Sequence, residues 1–244
     1  MISVLDGDSL IFTIFHPNKV LDEKGEPLKQ DGKFVYIEKT EEEIIESANS
    51  LMKSILTKGR FSGYIGFIKG KGNYRYSIDP EYKNNRPKES PKWWNFVKQY
   101  LIDKYCFIEV NGIEVDDAVN ITRLSNEDYI ATAIDKDILG LEGLHYNWRK
   151  DEWVTISKSQ AEYKFWCDMI CGQSGDNIKG LIGKGIKYAE RLLKDVETYP
   201  DKVLKAYIEQ LGDKVGISEF YKNYNCLLIL DSYEGFEIPN VIEI

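Results

Sequence analysis

Long apolar runs are missing from this chain, and so is any framework of cysteines. No hydrophobic stretch approaches the ~20 residues that cross a bilayer, and the N-terminus shows no basic segment followed by an apolar one. Neither membrane association nor secretion is therefore expected. Four cysteines occur among 244 residues, at 106, 167, 171 and 226. Their spacing fits neither a disulfide scaffold nor a zinc site, and Cys167 and Cys171, one helical turn apart, read as core or half-buried thiols. That usage suits a reducing cytoplasm. Repeats and low-complexity segments are absent. Also lacking is a surplus of positive charge: the net charge is −8 and the pI about 5.0, which argues against binding a polyanion over the whole surface. What is present is 43% hydrophobic and 13% aromatic residues, enough for the core of one domain, or of one domain with an appendage.

The pattern of apolar residues predicts strands alternating with helices. A buried strand over 2–6 leads into a helix at roughly 10–15. Turn signals at Glu23–Pro27 and Gln30–Gly32 make 18–39 a hairpin. Thr40 with Glu43 forms a capping box for a helix to about Leu56. Tyr64 to Ile68 reads as a short strand, 70–90 as a polar irregular segment, and Pro91 as the start of a helix to about Lys104. Strands at 106–110 and 128–134 bracket a helix from Asp116. A second hairpin is expected over 143–156, a helix over 158–171, and further helices near 186–196, 200–211 and 217–230. This order predicts an α/β fold with a mainly parallel central sheet flanked by helices, followed by an α-helical C-terminal part.

Three acidic clusters fall where apolar strands run out: Asp6 and Asp8; Glu114, Asp116 and Asp117; Asp135 and Asp137. Sites in open α/β sheets form beyond the C-terminal ends of the strands. Carboxylates gathered there repel one another unless cations neutralise them, and oxygen donors without His or Cys select Mg²⁺ or Mn²⁺. Two such ions about 3.5–4 Å apart are the usual clamp for phosphodiester cleavage. Asp8 reads either as a second ligand or as a helix N-cap, and Asp117 either as a ligand or as a partner of the helix dipole.

A glycine-punctuated run, Gly175–Lys187, joins two helices. Gly180, Gly183 and Gly185 permit close approach and positive φ, while Lys179, Lys184 and Lys187 supply charge around the N–H groups that open the next helix. A phosphodiester backbone fits that description; so does a plain turn between two helices. A nucleotide-binding loop does not fit, because the Gly183–Lys184 pair lacks the preceding glycine and the following hydroxyl residue. The overall negative charge conceals a second basic stretch: residues 69–98 carry Lys69, Lys71, Arg75, Lys83, Arg86, Lys88, Lys92 and Lys98. Two basic surfaces flanking an acidic pit would guide a phosphate backbone into it.

Taken in order, Asp6-Gly7-Asp8-Ser9-Leu10, Asp79–Arg86, Glu114–Asp117, Asp135-Lys136-Asp137 and Gly175–Gly185 resemble the flap endonuclease/5′→3′ exonuclease family, particularly its compact phage members. The resemblance runs from residue 2 to about 195. It implies a PIN-like nuclease core over 1–157 with a short arch or gateway at about 70–104. Residues 158–244 would be the helical part with a helix–three-turn–helix motif. It also implies a structure-dependent, sequence-independent nuclease acting on DNA with 5′ ends, nicks or flaps in phage replication, in the host cytoplasm and alongside replication proteins. Asp6, Glu114 and Asp116 would hold one ion; Asp135, Asp137 and Asp176 a second. Lys83 and Arg86 would hold the scissile phosphate, Arg75 would contact the nucleic acid, and Tyr82 would stack on a base or pack internally. Of Trp93 and Trp94, one is expected in the core and the other near DNA. The same resemblance implies K⁺ at the glycine loop.

Two departures stand out. Family members carry an aspartate at the end of the strand before the basic segment, where this chain has Ile68. They also carry aspartates at the first and fourth positions of the glycine-loop motif, where it has Gln173 and Asp176. Asp8 and Asp117 are candidates to compensate. The short interval between Lys83 and Glu114 leaves little room for a long threaded arch, which suits degradation from an end or nick. The losses also leave open a DNA-structure-binding relative with weakened catalysis, and nothing in the sequence excludes RNA–DNA hybrids as substrate.

Overall fold

The structure is a computed structural model and describes residues 1–87, 89–194 and 199–244. Lys88 and the end of the helix expected to reach 196 lie outside the described residues. Strand β1 (Ile2–Asp6) runs into helix α1 (Gly7–Phe15). A two-tiered hairpin follows, with β2 (Asn18–Lys19) paired to β5 (Tyr36–Ile37), and β3 (Lys29–Gln30) to β4 (Lys33–Phe34). Helix α2 (Glu41–Lys58) opens on the expected Thr40/Glu43 capping box. Next come β6 (Gly63–Lys69), the single turn α3 (Arg75–Ile78), α4 (Trp94–Tyr105), β7 (Ile108–Val110), α5 (Val115–Leu124) and β8 (Tyr129–Ala133). Strands β9 (Gly143–Asn147) and β10 (Glu152–Ile156) make the second hairpin. The chain then becomes helical: α6 (Lys158–Cys171), α7 (Ile186–Leu192), α8 (Tyr199–Leu211) and α9 (Asp213–Leu227), before a last strand, β11 (Ile242–Glu243).

The seven strands of the central sheet run β10-β9-β8-β1-β6, and β6 then pairs with both β7 and β11. The pairs β9–β8, β8–β1, β1–β6 and β6–β7 are parallel; β10 and β11 are antiparallel edges. The architecture is thus the expected α/β one. Alternation along each strand feeds two cores. Leu5, Tyr64 and Ile68 point to the face covered by α1, α2 and α4. Val4, Ile65 and Phe67 point to the other, covered by α5 and by Leu230, Phe236 and Val241 of the C-terminal segment. A third core, around Trp166, Met169, Ile170, Tyr207 and Phe220, holds α6–α9 together. Ile68 is fully buried, which is why no carboxylate stands at that place: its side chain belongs to the packing beneath α1.

One buried ion pair ties these parts to the site. Arg75 and Asp117 are 1% and 0% exposed. The guanidinium grips the carboxylate with two parallel bonds, Nη1 to Oδ2 at 2.6 Å and Nη2 to Oδ1 at 2.8 Å. Two further N–H groups donate to the carbonyls of Cys226 (3.0 Å) and Leu228 (2.5 Å). Asp117 in turn accepts from the backbone N–H of Glu114 and of Leu230, both at 2.9 Å. Such a fork satisfies planar geometry and charge together.

Two expectations are corrected here. Arg75 does not lie on a DNA-facing surface, because its donors are used inside the protein. Asp117 is not available to a metal ion, because both its oxygens are committed to Arg75 and to backbone N–H groups.

Removing one partner strands the other as a buried charge. Arg75→Ala is expected to cost roughly 3–5 kcal/mol in urea unfolding, and the paired change Arg75→Met with Asp117→Leu to recover most of it. A loss below about 1 kcal/mol for the single change would count against this role.

Candidate metal centre and nucleic-acid interface

The acidic side chains converge because each follows a strand of the parallel sheet. Asp6 ends β1 and caps α1, its Oδ1 accepting from the N–H of Asp8 (3.0 Å) and Ser9 (3.4 Å). Asp8 is therefore not the cap. Its Oδ1 accepts from the N–H of Lys69 at the end of β6 (3.0 Å), so it carries a carboxylate to the strand end where Ile68 offers none. Glu114 and Asp116 flank the start of α5. Asp135 and Asp137 follow β8, and Asp135 Oδ1 accepts from the Asp137 N–H (2.8 Å). With Asp176, all of these line one open cleft of about 230 Å³, together with Lys83 and Arg86.

Their electrostatics divide them into two sets. Burial, then the charges of Asp8 and Asp135, pushes Asp6 up to about 7. Burial, then Asp6, Asp135 and Glu114, holds Asp116 well above the usual carboxylate range. These groups face like charge. Glu114 differs: burial would raise it, but Lys83 and Arg75 hold it below its ordinary value. Lys83 Nζ is 2.5 Å from Glu114 Oε1, Asn73 Nδ2 donates to the same oxygen (2.8 Å), and Tyr82 Oη donates to Oε2 (3.1 Å). Asp176 pairs with Arg86 Nη2 (2.5 Å). Asp137 Oδ1 accepts from Lys164 Nζ (2.8 Å) and Gln173 Nε2 (3.2 Å).

Among the described residues, no group of three or more His, Cys, Asp or Glu is assembled as a finished ion site. The fit therefore rests on the donors themselves. Asp6, Asp116 and Asp135 are oxygen ligands whose mutual repulsion a hard divalent cation would relieve, so this half of the cleft suits such an ion. The half around Asp137 is occupied by a lysine.

The basic segment is clamped to the glycine loop. Lys83, at φ +55°, donates its backbone N–H to the Asp176 carbonyl (2.9 Å). Asn85 donates to the Ser174 carbonyl (2.6 Å), Arg86 Nε to that of Gly175 (3.1 Å), and Asn177 Nδ2 to that of Glu81 (2.8 Å). These bonds place Lys83 and Arg86 in the lining of the cleft. Tyr82 is only 2% exposed, and its hydroxyl lies between Glu114 and Asp176 (3.2 Å to the latter). It is packed and hydrogen-bonded, so of its two expected roles the internal one holds.

Within the loop, Gly172 and Gly180 both have positive φ, and a Cβ on either would collide with the backbone of the other strand of the loop. Gly180 thus closes the loop on itself and does not make room for a ligand. Gly183 (φ +70°) and Gly185 have open space where a Cβ would be. Lys179 and Lys187 are exposed, and Lys184 Nζ sits 4.7 Å from the Tyr188 ring centre. Trp93 packs against the first core. Trp94 lies with its ring 4.9 Å from that of Phe12, beside the cleft wall formed by Lys69, Lys83 and Arg86. Four participants escaped the sequence reading: Asn73, Phe12, Lys164 and Asp168. Only the i, i+4 spacing of Lys164 and Asp168 on a recognisable helix gave a signal.

No family model matches the chain. A 5′-3′ exonuclease of Mycoplasmopsis pulmonis is 30% identical over 157 residues, covering 55% of this chain and 51% of that protein; the match spans about half the length of that relative. Among solved structures, a phage T5 protein co-crystallised with metal ions covers 94% of this chain and 89% of its own, with a TM-score of 0.60 at 17% identity. The phage T5 flap endonuclease in a pseudo-enzyme-product complex with DNA and metal ions gives 0.58 at 18% identity, covering 94% and 88%. The T5 5′-exonuclease with bound zinc gives 0.56 at 19%, covering 93% and 86%. Sequence relative and shared fold thus bear out the likeness carried by the motifs, which is to the flap endonuclease/5′→3′ exonuclease family.

Proposed function

We propose that this chain is a divalent-metal-dependent 5′ nuclease, hydrolysing DNA phosphodiesters as a 5′→3′ exonuclease or flap endonuclease without reading sequence. One observation carries the reading: Asp6, Asp116 and Asp135 crowd together at the C-terminal end of a parallel sheet with no ion-pair partner among the described residues, in a cleft that Lys83 and Arg86 also line. Mg²⁺ or Mn²⁺ held by these carboxylates would supply an activated water and offset charge on the phosphate. The chain's own residues do the rest. Lys83, held by Glu114, and Arg86, held by Asp176, are placed to orient the phosphate and stabilise its developing charge. Their carboxylate partners keep both cations aimed into the cleft before substrate arrives. Gly183, Lys184, Gly185 and Lys187 would hold the duplex backbone through phosphates alone, and Lys179 would add charge to that surface. Phe12 and Trp94 offer apolar faces to an unpaired nucleotide.

The occupied state of Asp137 supports a second reading, a relative that binds DNA structures but cuts weakly. Cleavage of 5′-labelled nicked, flapped, blunt and RNA-primed duplexes, with Mg²⁺, Mn²⁺ or EDTA, separates the two. Metal-dependent 5′ products are expected; salt-sensitive binding with no product in either metal would leave only the second reading. Lys83→Ala should lower kcat by about 10²–10³ with little change in DNA affinity. Lys184→Ala should instead weaken binding to all sequences alike and flatten the salt dependence by about one unit of slope.

Asp116→Asn should abolish cleavage yet raise Tm in EDTA. The sign follows from the raised carboxyl: wild type loses stability as pH climbs from about 4, where the unfolded aspartate ionises, through its higher folded value. Asparagine does not ionise, so the gain in Tm should be full at pH 8 and vanish below about pH 4. An Asn variant less stable than wild type at pH 8 would contradict the electrostatic account of the pit.

A further inference from the structure

Behind Asp137, an adjoining cavity of about 110 Å³ is built around an ammonium group. Lys164, on α6, sits one turn before Asp168 and places Nζ 2.8 Å from Asp137 Oδ1 and 2.9 Å from Asp168 Oδ2. Gln173 donates its side-chain amide to the same two oxygens, at 3.2 and 3.1 Å. The two carboxylates are thus joined by one cation and one neutral donor, and each of the two oxygens is used twice. Asp176, the other carboxylate on this side, is held by Arg86 (2.5 Å) and lies 3.6 Å from Lys83. Of the residues expected to bind a second ion, only Asp135 has no protein cation beside it, and Asp135 faces Asp6 and Asp116.

A divalent ion entering between Asp137 and Asp168 would have to displace an ammonium bound by two charge-assisted bonds. Gln173 reinforces the exclusion: its –NH₂ end is turned to the carboxylates, so it acts there as a donor and repels a metal ion. Resting on the nuclease reading above, we infer that this protein works with a single divalent ion, at Asp6, Asp116 and Asp135, and that the Lys164 ammonium replaces the second ion as a fixed positive charge. An ammonium offers one charge and N–H donors, so it can hold a phosphate oxygen by hydrogen bonding but cannot activate a second water. The dependence of rate on metal concentration then follows a one-site curve.

The test counts ions without turnover. Purified wild type and the variants Lys164→Met, Gln173→Asp and the double variant are titrated with Mn²⁺ and read by the electron paramagnetic resonance of free Mn²⁺. Circular dichroism melts verify folding, and Gln173→Asp, which leaves the lysine in place, serves if Lys164→Met does not fold. Wild type should bind one Mn²⁺ per chain. Gln173→Asp and the double variant should take a second ion at least tenfold more tightly than wild type does. Two ions of similar affinity in the wild type, or no gain in any folded variant, would overturn the inference while leaving the nuclease reading intact. No bound Mn²⁺ in any of the four would overturn both.

Discussion

Everything near the cleft is referenced to the buried contact between Arg75 and Asp117. A guanidinium and a carboxylate removed from water need partners beyond each other, and here four backbone groups supply them. The carbonyls of Cys226 and Leu228 cap the arginine, and the N–H groups of Glu114 and Leu230 cap the aspartate. The result is a rigid knot joining three stretches of chain distant in sequence. It fixes where α5 begins, hence where Glu114 and Asp116 point. It also fixes the start of the segment that delivers Lys83. Catalytic geometry of the kind proposed depends on angstrom-level placement, and this pair provides it without touching substrate.

Around that knot, positive and negative groups are matched unevenly. Glu114, Asp137 and Asp176 each pair with a lysine or arginine; Asp6 and Asp116 face mainly like charge, which Lys83 offsets only in part at Asp116. A fold stabilised for its own sake would not keep buried carboxylates without partners. The divalent ion proposed for this place would offset that cost, and the lysine and arginine partners already offset it for the rest.

Much of this was legible beforehand, for identifiable reasons. Strands ending in Asp6 and Asp135, and the Thr40 capping box, are local patterns whose periodicity or spacing survives folding. The cleft's acids Asp6, Glu114, Asp116, Asp135 and Asp137 followed from strand ends, whereas Lys83, Arg86 and Asp176 followed only from the motif resemblance. Arg75 misled because a basic residue in a basic segment reads as surface; only the distant carbonyls of Cys226 and Leu228, invisible to local pattern, bury it. Asp117 misled in the same way, as one acid among several. Asp8 and Asp6 exchanged the capping role because the choice depends on which oxygen faces Lys69. Strand β11 escaped detection because two residues pairing with β6 leave no periodic trace. Lys164 and Asp168 looked like an ordinary helix-surface pair until the loop carrying Gln173 closed over them.

The contribution of Cys226–Leu230 has a temporal side. These residues are made after Arg75 and Asp117, and their backbone groups complete the shell around that pair. While a polypeptide is still being synthesised, its sheet, its acidic strand ends and even its basic segment can exist before that shell does. The arginine then has no carbonyls to satisfy it and no reason to stay buried, and the start of α5 has no anchor. Alignment is therefore deferred until this segment has emerged: a growing chain that has not yet delivered it carries the parts of the cleft without their final arrangement.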